Sequence, residues 1–397
     1  MRTHAFYSVA LFIPLTLSLV LAGCGTSPNH MSRVCPANTT CGCGVVNNNV
    51  CIGDSIPLLY ASTTSNQILV FSISSSGTLT ALPSASGPSN SASVSSVSNV
   101  LMFADTSNNT IDSVAVNQAT GALTPIQGSP FSLGAPGGGP IMMLVGPYAY
   151  VYATEPNGTI VGFGTTSLVG ALGAPLPNSP YAAGVAPSQM SFAGEEPTGA
   201  FFLYASDPGD PNGGILAYSL DYNGSLTPVQ GSPFPTLPNA NPSFVLYGAY
   251  IATAGNSGTQ FLFVSLTNLG KVAVFSIDTN TGALTAVPGS PFAVGNGPGI
   301  LLEDDFNHVF VMNGSDHTIS AFNLSSNGAL SPIGSPVPVG TANGGMAYFP
   351  WNQLYVADTT ASAIWTLNID PTTGMLTQAG SPLMVSSPPL QLTFVGP

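Results

Sequence analysis

From Leu58 to the C-terminus, the hydrophobic positions of the chain repeat with a period of about fifty residues. Each repeat opens with a short apolar run that contains an aromatic side chain, and a polar turn follows it. Short apolar runs bounded by turn residues are typical of β-strands. The pattern therefore predicts an all-β fold built from seven copies of one unit. The aromatic positions are Tyr60, Phe103, Tyr152, Tyr204, Phe263, Phe310 and Tyr355.

Two further strands follow the aromatic run in each repeat. The second strand has apolar residues at alternate positions, as at Phe71 and Ile73, and this period indicates a strand with one buried face. The third strand is nearly the same in several repeats, for example TGALTPIQGSPF from Thr120 and NGSLTPVQGSPF from Asn223. Its Thr-Gly or Asn-Gly pair supplies the positive φ that a tight hairpin requires.

A fourth strand precedes the aromatic run of the next repeat, as in residues 141–145 and 299–302. The first repeat lacks such a strand before Leu58, whereas one more, residues 390–395, follows the seventh repeat. We therefore predict a seven-bladed β-propeller with four-stranded antiparallel blades. In this fold the C-terminal strand completes blade 1, so that the ring closes without an open sheet edge.

The last repeat shows the pattern most fully, with LYVAD at 354–358, then Ile364, Leu367, Ile369 and Asp370, and then Thr373, Gly374 and Leu376. This pattern resembles the repeat of the seven-bladed propeller lactonases, a group that includes bacterial 6-phosphogluconolactonases and the YVTN-repeat proteins. The resemblance covers residues 58–397 and implies the fold, because the matching positions are structural. Lactone hydrolysis is the activity that it implies by analogy.

Members of that group place His, Glu and Arg around the mouth of the central funnel. Here the propeller region contains no Arg, and its single Lys is Lys271. Lactone hydrolysis requires a general acid or base and a group that stabilises the developing oxyanion. The resemblance therefore transfers no catalytic residue to this chain, although a metal-dependent lactonase would not need Arg.

The N-terminus resembles a bacterial lipoprotein signal. Arg2 and His4 precede an apolar run over residues 5–20, and Leu-Ala-Gly-Cys at 21–24 matches a lipobox. The alternatives are a membrane-spanning anchor and an ordinary cleaved signal, but the run is short for a span. We expect residues 1–23 to be removed and Cys24 to carry the lipid. Because Gly25 follows in place of Asp, we expect the outer membrane if the cell has two membranes.

Four further cysteines, Cys35, Cys41, Cys43 and Cys51, lie close together, and none follows them. An even number of cysteines in an exported chain favours two disulfides, with three pairings open. A zinc site is the weaker alternative, because the spacing lacks the usual C-x2-C pairs and no His lies among them. We interpret residues 24–57 as a Cys-rich tether and residues 58–397 as the propeller domain.

Charged residues make up 5% of the chain, against about 25% in an average soluble protein, so Ser, Thr and Asn must cover most of the surface. Without residues 1–23, two basic side chains, Arg33 and Lys271, stand against sixteen acidic ones. Nucleic acid is excluded as a partner, because neutralising phosphates requires several Lys or Arg. Anionic lipid is excluded as an electrostatic partner for the same reason.

Several acids fall in the loops that follow the aromatic strands, on the face where propellers bind ligands. One interpretation is a carboxylate rim for calcium or a cationic ligand; the favoured one is that these residues hold the turn amides. No metal or other cofactor is assigned. Asp304, Asp305 and His308 fall on the opposite face and are interpreted as solvated turn residues. The rim residues are Asp105, Glu155, Asp207, Asp316, His317 and Asp358.

Two functions remain open from the sequence. The first is a non-catalytic module of the cell envelope, expected to be monomeric, that binds an uncharged small molecule, a glycan or another envelope protein. It rests on the predicted lipid anchor and on the uncharged residues around the funnel. The second is a lactone-ring hydrolase with a divergent site, which rests on the resemblance alone.

Overall fold

The computed structural model describes residues 46–47, 50–51, 56–88, 91–97, 99–134, 142–145, 150–165, 170–194, 200–251, 257–341, 344–350 and 352–395. The chain divides into two units, Met1–Asp54 and Ser55–Pro397. In the first unit, β1 (Val46–Asn47) pairs antiparallel with β2 (Val50–Cys51). The predicted signal, the lipidation site Cys24 and the cysteines Cys35, Cys41 and Cys43 lie outside the described residues.

The described part of the second unit consists of seven antiparallel sheets, or blades, and a short 3-10 turn at Thr267–Leu269. Blades 1 and 2 contain β3 (Leu58–Thr63), β4 (Gln67–Ile73) and β5 (Leu79–Ser86), then β6 (Ser91–Val97), β7 (Val100–Asp105), β8 (Thr110–Val116), β9 (Leu123–Pro125) and β10 (Phe131–Ser132). Blades 3 and 4 contain β11 (Met142–Val145), β12 (Val151–Glu155), β13 (Thr159–Thr165), β14 (Leu172–Pro175) and β15 (Tyr181–Ala182), then β16 (Met190–Ala193), β17 (Phe201–Asp207), β18 (Gly214–Leu220), β19 (Leu226–Pro228) and β20 (Phe234–Pro235).

Blade 5 contains β21 (Pro242–Ile251), β22 (Ser257–Leu266), β23 (Lys271–Ile277), β24 (Leu284–Ala286) and β25 (Phe292–Ala293). Blade 6 contains β26 (Pro298–Glu303), β27 (His308–Asn313), β28 (Thr318–Leu324) and β29 (Leu330–Pro338). Blade 7 contains β30 (Met346–Phe349), β31 (Gln353–Asp358), β32 (Ala363–Ile369), β33 (Leu376–Gln378) and β34 (Leu383–Met384), and β35 (Pro389–Val395) returns to blade 1.

The C-terminal strand closes the ring, as the sequence predicts. β35 pairs antiparallel with β3, so that Leu58 lies opposite Val395 and Tyr60 opposite Thr393. The innermost strands contact one another in the cyclic order β35, β6, β11, β16, β21, β26, β30 and again β35. Blade 1 is therefore assembled from both ends of the propeller region, and its sheet has no open inner edge.

The hydrophobic core lies between neighbouring blades. Each of seven buried clusters in the described residues joins the facing sides of two adjacent sheets, for example Tyr204 of blade 4 with Leu262 and Phe275 of blade 5. One blade alone would leave these faces in water, so the blades stabilise one another by burying apolar surface. The seven aromatic residues that mark the repeats are all fully buried in these seams.

The outer strand differs from the sequence prediction of one continuous third strand per repeat. In blades 2, 3, 4, 5 and 7 it is broken into two short pieces that both pair with the same neighbour, whereas β5 and β29 are continuous. At the break in blades 2, 3, 4 and 5, the hydroxyl of the serine that precedes a proline accepts the backbone N–H that the ladder leaves free. Ser232 accepts from Ala217 at 2.9 Å, and Ser129, Ser179 and Ser290 do the same in their blades.

Candidate functional site

The antiparallel order of the blades places their connections on two faces. We count the four strands of each blade from the innermost outward, so that the aromatic strand is the second. We call ligand face the face that carries the loops between the second and third strands and the crossings into each inner strand. We call turn face the opposite one, which carries the inner hairpins and the turns after the third strands. The turns of the turn face that the structure describes begin at Ser74, Asn117, Asp221, Asp278, Ser325 and Asp370.

On the ligand face, the second strand ends on a buried polar residue in six of the seven blades, and on Leu266 in blade 5. Four of the six predicted rim residues occupy this position, while Asp316 and His317 lie exposed in the loop after Asn313. The buried position lies below the loops. The six residues that hold it are Thr63, Asp105, Glu155, Asp207, Asn313 and Asp358.

Asp207 and Asp358 hold the crossings of their own blades. The Asp207 carboxylate accepts the N–H groups of Val185 and Ala186, both at 2.9 Å, and that of Gly209 at 3.1 Å. Asp358 accepts the N–H and the hydroxyl of Thr341 at 3.1 and 2.8 Å. These contacts fit the interpretation that the acids satisfy backbone amides.

The same carboxylate of Asp358 also accepts the N–H of Ala361 at 2.9 Å and the indole N–H of Trp365 at 3.4 Å. Burial by itself raises the pKa of Asp358, but the hydrogen bonds from Ala361, Thr341 and Trp365 outweigh that effect and lower it. Asp358 is therefore held as a carboxylate at neutral pH, and a carboxylate cannot act as a general acid.

Asp316 and Asp105 make related contacts. Asp316 accepts the backbone N–H of Asn296 at 2.7 Å and the side-chain amide of the same residue at 2.9 Å. These hydrogen bonds lower the pKa of Asp316. Asp105 accepts the N–H groups of Ser107 and Asn108 and the side-chain amide of Asn108. Both acids are therefore tied to neighbouring backbone.

Glu155 of blade 3 differs from the other acids. Its Oε2 accepts the Thr159 hydroxyl at 3.1 Å and the Asn157 amide at 3.4 Å. Its Oε1 is buried, and no described residue donates a hydrogen bond to it. A buried polar atom without a partner is costly. Glu155 is thus the ligand-face acid whose carboxylate keeps an unused oxygen within the described residues.

Several neutral hydroxyls near the inner strands donate to backbone carbonyls. Thr154 donates to Ser188 at 2.8 Å, Ser265 to Gly299 at 2.6 Å, and Thr359 to Pro389 at 2.7 Å. Across the described residues the only Lys or Arg is Lys271, at the ligand-face end of β23. The described part of the chain also contains no group of three or more His, Cys, Asp or Glu side chains placed to hold a metal ion.

On the turn face, the interpretation of Asp304 and His308 as solvated turn residues is wrong. Both are buried, and His308 Nδ1 lies 2.7 Å from Asp304 Oδ2. Asp304 Oδ1 also accepts the N–H groups of Phe306 and His308, both at 2.9 Å. Repeat alignment would have given the signal, because the residue two positions before the aromatic one is apolar at Leu58, Phe202 and Phe261. Asp305, the third residue of this interpretation, is exposed.

In the part of the chain that the structure describes, no helix has the length and hydrophobicity needed to cross a bilayer.

The fold defines the class: the second unit is a seven-bladed β-propeller of the type found in 6-phosphogluconolactonase-like proteins. Among solved structures, it is similar to a candidate 6-phosphogluconolactonase from Bacteroides fragilis, with 18% identity and a TM-score of 0.68 over 86% of this chain and 98% of that one. It is also similar to the periplasmic gluconolactonase of Pseudomonas aeruginosa, with 19% identity and a TM-score of 0.67 over 86% and 99%. No protein-family model and no curated protein sequence matches the chain.

Proposed function

We propose that this chain is an exported lipoprotein, anchored through Cys24 in the cell envelope, whose propeller is a non-catalytic binding module. The observation that carries the proposal is the use of the ligand-face acids. The oxygens of Asp207 and Asp358 are taken up by the crossings of their blades. Residues engaged in this way shape a binding surface but do not transfer protons to a substrate.

The chemistry of the ligand face favours an uncharged ligand. Apart from the acids described above and His317, its described groups are backbone amides, hydroxyls and Asn side chains around a single Lys. A phosphorylated sugar would need several basic partners, whereas a glycan, a neutral small molecule or a polar loop of another envelope protein would need hydrogen-bonding groups of this kind.

A glycan array and a pull-down from envelope extract test this proposal with the full chain. We expect one of them to yield a ligand whose binding is weakened by Asn296→Ala, which alters the crossing held by Asp316. Asn117→Ala on the turn face is the control and should leave binding unchanged. If both screens remain blank, the proposed binding function is wrong.

The anchor has a separate test. Cells that express the chain with labelled palmitate should incorporate label into the wild-type protein, and Cys24→Ser should abolish incorporation. Cys51→Ser is the control, because it removes a cysteine that the lipobox does not use. Label retained in Cys24→Ser would contradict lipidation at this position.

A lactone-ring hydrolase is the second candidate. The likeness to the Pseudomonas aeruginosa gluconolactonase and the free oxygen of Glu155 favour it. A carboxylate with an unused oxygen is the kind of group that serves as a general base. If the chain turns over any member of a lactone panel, with or without Ca²⁺, Glu155→Gln should abolish turnover and Asp316→Asn should leave most of it. No turnover by the wild type would exclude this candidate.

A further inference from the structure

On the turn face, two turns come into direct contact at the seam between blades 6 and 7. The first is the hairpin from Asp304 to His308, and the second is the turn from Asp370 to Met375. The buried His308 ring packs against Gly374, where an added Cβ would overlap it. The tips of both turns point to solvent, and each presents one carboxylate and one large apolar side chain. The exposed side chains are Asp305, Phe306, Asp370 and Met375.

The fold does not require the negative charge of Asp370. Its Oδ1 accepts the N–H groups of Thr372 and Thr373 at 2.9 and 3.0 Å. The neutral Asn117 makes the same two hydrogen bonds in blade 2, at 3.1 and 3.2 Å. A neutral Ser heads the turn in blades 1 and 6. The charge is therefore additional to the structural role of the residue.

Asp305 has no structural role of this kind. Its neighbour Asp304 already accepts the hydrogen bonds that hold the hairpin. Within the described residues, no donor reaches the Asp305 carboxylate. In the neighbouring turn, backbone hydrogen bonds lower the pKa of Asp370, so the Asp370 carboxylate is ionised at neutral pH. The described part of the turn face carries no Lys or Arg, because Lys271 lies at the ligand-face end of β23.

In the same two turns, Phe306 and Met375 expose 47% and 50% of their surface. Exposed ion pairs alone contribute little to affinity, whereas aromatic and Met side chains are enriched at protein interfaces. A cationic group over the face of Phe306 would gain further attraction from the ring. The combination suits a partner that brings a positive charge and apolar surface together.

We propose that Asp305, Phe306, Asp370 and Met375 form a docking surface for a protein segment in which Lys or Arg side chains stand next to apolar ones. The surface is independent of the ligand face, so it remains whether or not the proposed ligand function is correct. Charge complementarity selects the occupant, since an acidic or phosphate-bearing partner would be repelled by both carboxylates.

The test uses the full chain and three synthetic peptides of equal length: alternating Lys and Leu, alternating Lys and Ser, and alternating Glu and Leu. Dissociation constants are measured by fluorescence anisotropy at about 0.15 M salt, where distant surface charges are largely screened. We expect the Lys-Leu peptide to bind more tightly than the other two. Asp305→Asn/Asp370→Asn should weaken its binding by about tenfold or more.

The matched control is Asp210→Asn/Asp316→Asn, which removes the same charge from exposed loops of the ligand face and should leave binding unchanged. Phe306→Ser/Met375→Ser should abolish the preference for Leu over Ser in the peptide. Melting temperatures equal to that of the wild type verify folding of each variant, and Asn117 shows that Asn supports this turn. The proposal is overturned if both double Asp variants weaken binding equally, or if the wild type does not prefer the Lys-Leu peptide.

Discussion

At the scale of single residues, a tyrosine hydroxyl joins one blade to the next at four seams. Tyr204 donates to the carbonyl of Gly282 at 2.8 Å, and Tyr60, Tyr152 and Tyr355 donate to the corresponding glycine of the following blade. That glycine has a positive φ within its turn. A side chain at its position would also collide with the preceding blade. One pair of residues therefore connects the local turn with the packing of the ring.

Replacing Tyr204 by Phe should lower the free energy of unfolding by about 1–3 kcal/mol, because the Gly282 carbonyl loses its buried donor. A phenylalanine side chain should fit at this position, since Phe263 and Phe310 occupy it in blades 5 and 6. Denaturant unfolding measures the change. Ser276→Ala, at a hydroxyl whose contact with the Thr285 carbonyl is exposed, is the control and should change stability little. Equal stability of Tyr204→Phe and wild type would contradict the role of this hydrogen bond.

The same tyrosines predict how stability depends on pH. Burial raises the pKa of Tyr60, Tyr152, Tyr204 and Tyr355 above the ordinary value of about 10. A raised pKa in the folded state means that the unfolded chain loses its protons first as pH rises. The contribution of these tyrosines to the free energy of unfolding is therefore fully present below about pH 10 and decreases above it. Unfolding midpoints measured across this range should decline less steeply in Tyr204→Phe than in the wild type.

At the scale of elements, the interrupted outer strands depend on a serine hydroxyl. It accepts the backbone N–H that would otherwise pair with a carbonyl of the outer strand. Ser232 accepts the N–H of Ala217 where the outer strand of blade 4 is interrupted. Without it, that N–H would lie beside the break with no acceptor, and unpaired backbone donors in partly buried positions are unfavourable. In blades 2, 4 and 5 the Gly-Ser-Pro sequence thus coincides with a break in the outer strand, whereas in blade 6 the same sequence lies inside the continuous β29.

Ser232→Ala should lower the unfolding free energy by about 1–3 kcal/mol, because the Ala217 N–H loses its acceptor. Ser219→Ala is a matched control on β18, the strand that contains Ala217, since the Ser219 hydroxyl forms an exposed contact at 3.3 Å with a carbonyl. Calorimetry of both variants gives the comparison. An equal effect of the two substitutions would show that the Ser232 hydroxyl does not support the strand.

At the scale of the whole molecule, the ring is held by the pairing of its two ends. β35 joins β3 through five register pairs between Leu58–Thr63 and Pro389–Val395, and Leu392 packs in the cluster between blades 7 and 1. Its removal would expose the inner edge of blade 1 and the apolar faces of two blades at once.

Deleting residues 388–397 should therefore sharply lower the melting temperature. Deleting only residues 396–397 is the control, because Val395 and its pairing with Leu58 remain. Thermal unfolding followed by circular dichroism distinguishes the two. A long deletion that melts with the wild type would mean that closure does not stabilise the propeller.

The repeat determined the fold from the sequence alone, because seven copies of one alternating pattern cannot bury their apolar faces except against one another. The missing inner strand before Leu58 and the extra strand at the C-terminus also determined how the ring closes. Which chemistry each acid performs was decided only by the tertiary structure. Asp207, Asp358 and Glu155 occupy equivalent positions in the repeat. The crossings donate hydrogen bonds to the carboxylates of Asp207 and Asp358, whereas Oε1 of Glu155 has no donor within the described residues.

The pairing of Asp304 with His308 also depended on the tertiary structure, because burial at a seam is set by the neighbouring blade and not by the turn that contains the residues. The contact between the Asp304–His308 hairpin and the Asp370–Met375 turn, far apart along the chain, has the same origin. Sequence determines what each repeat can form; the contacts between repeats determine which polar groups remain available for function.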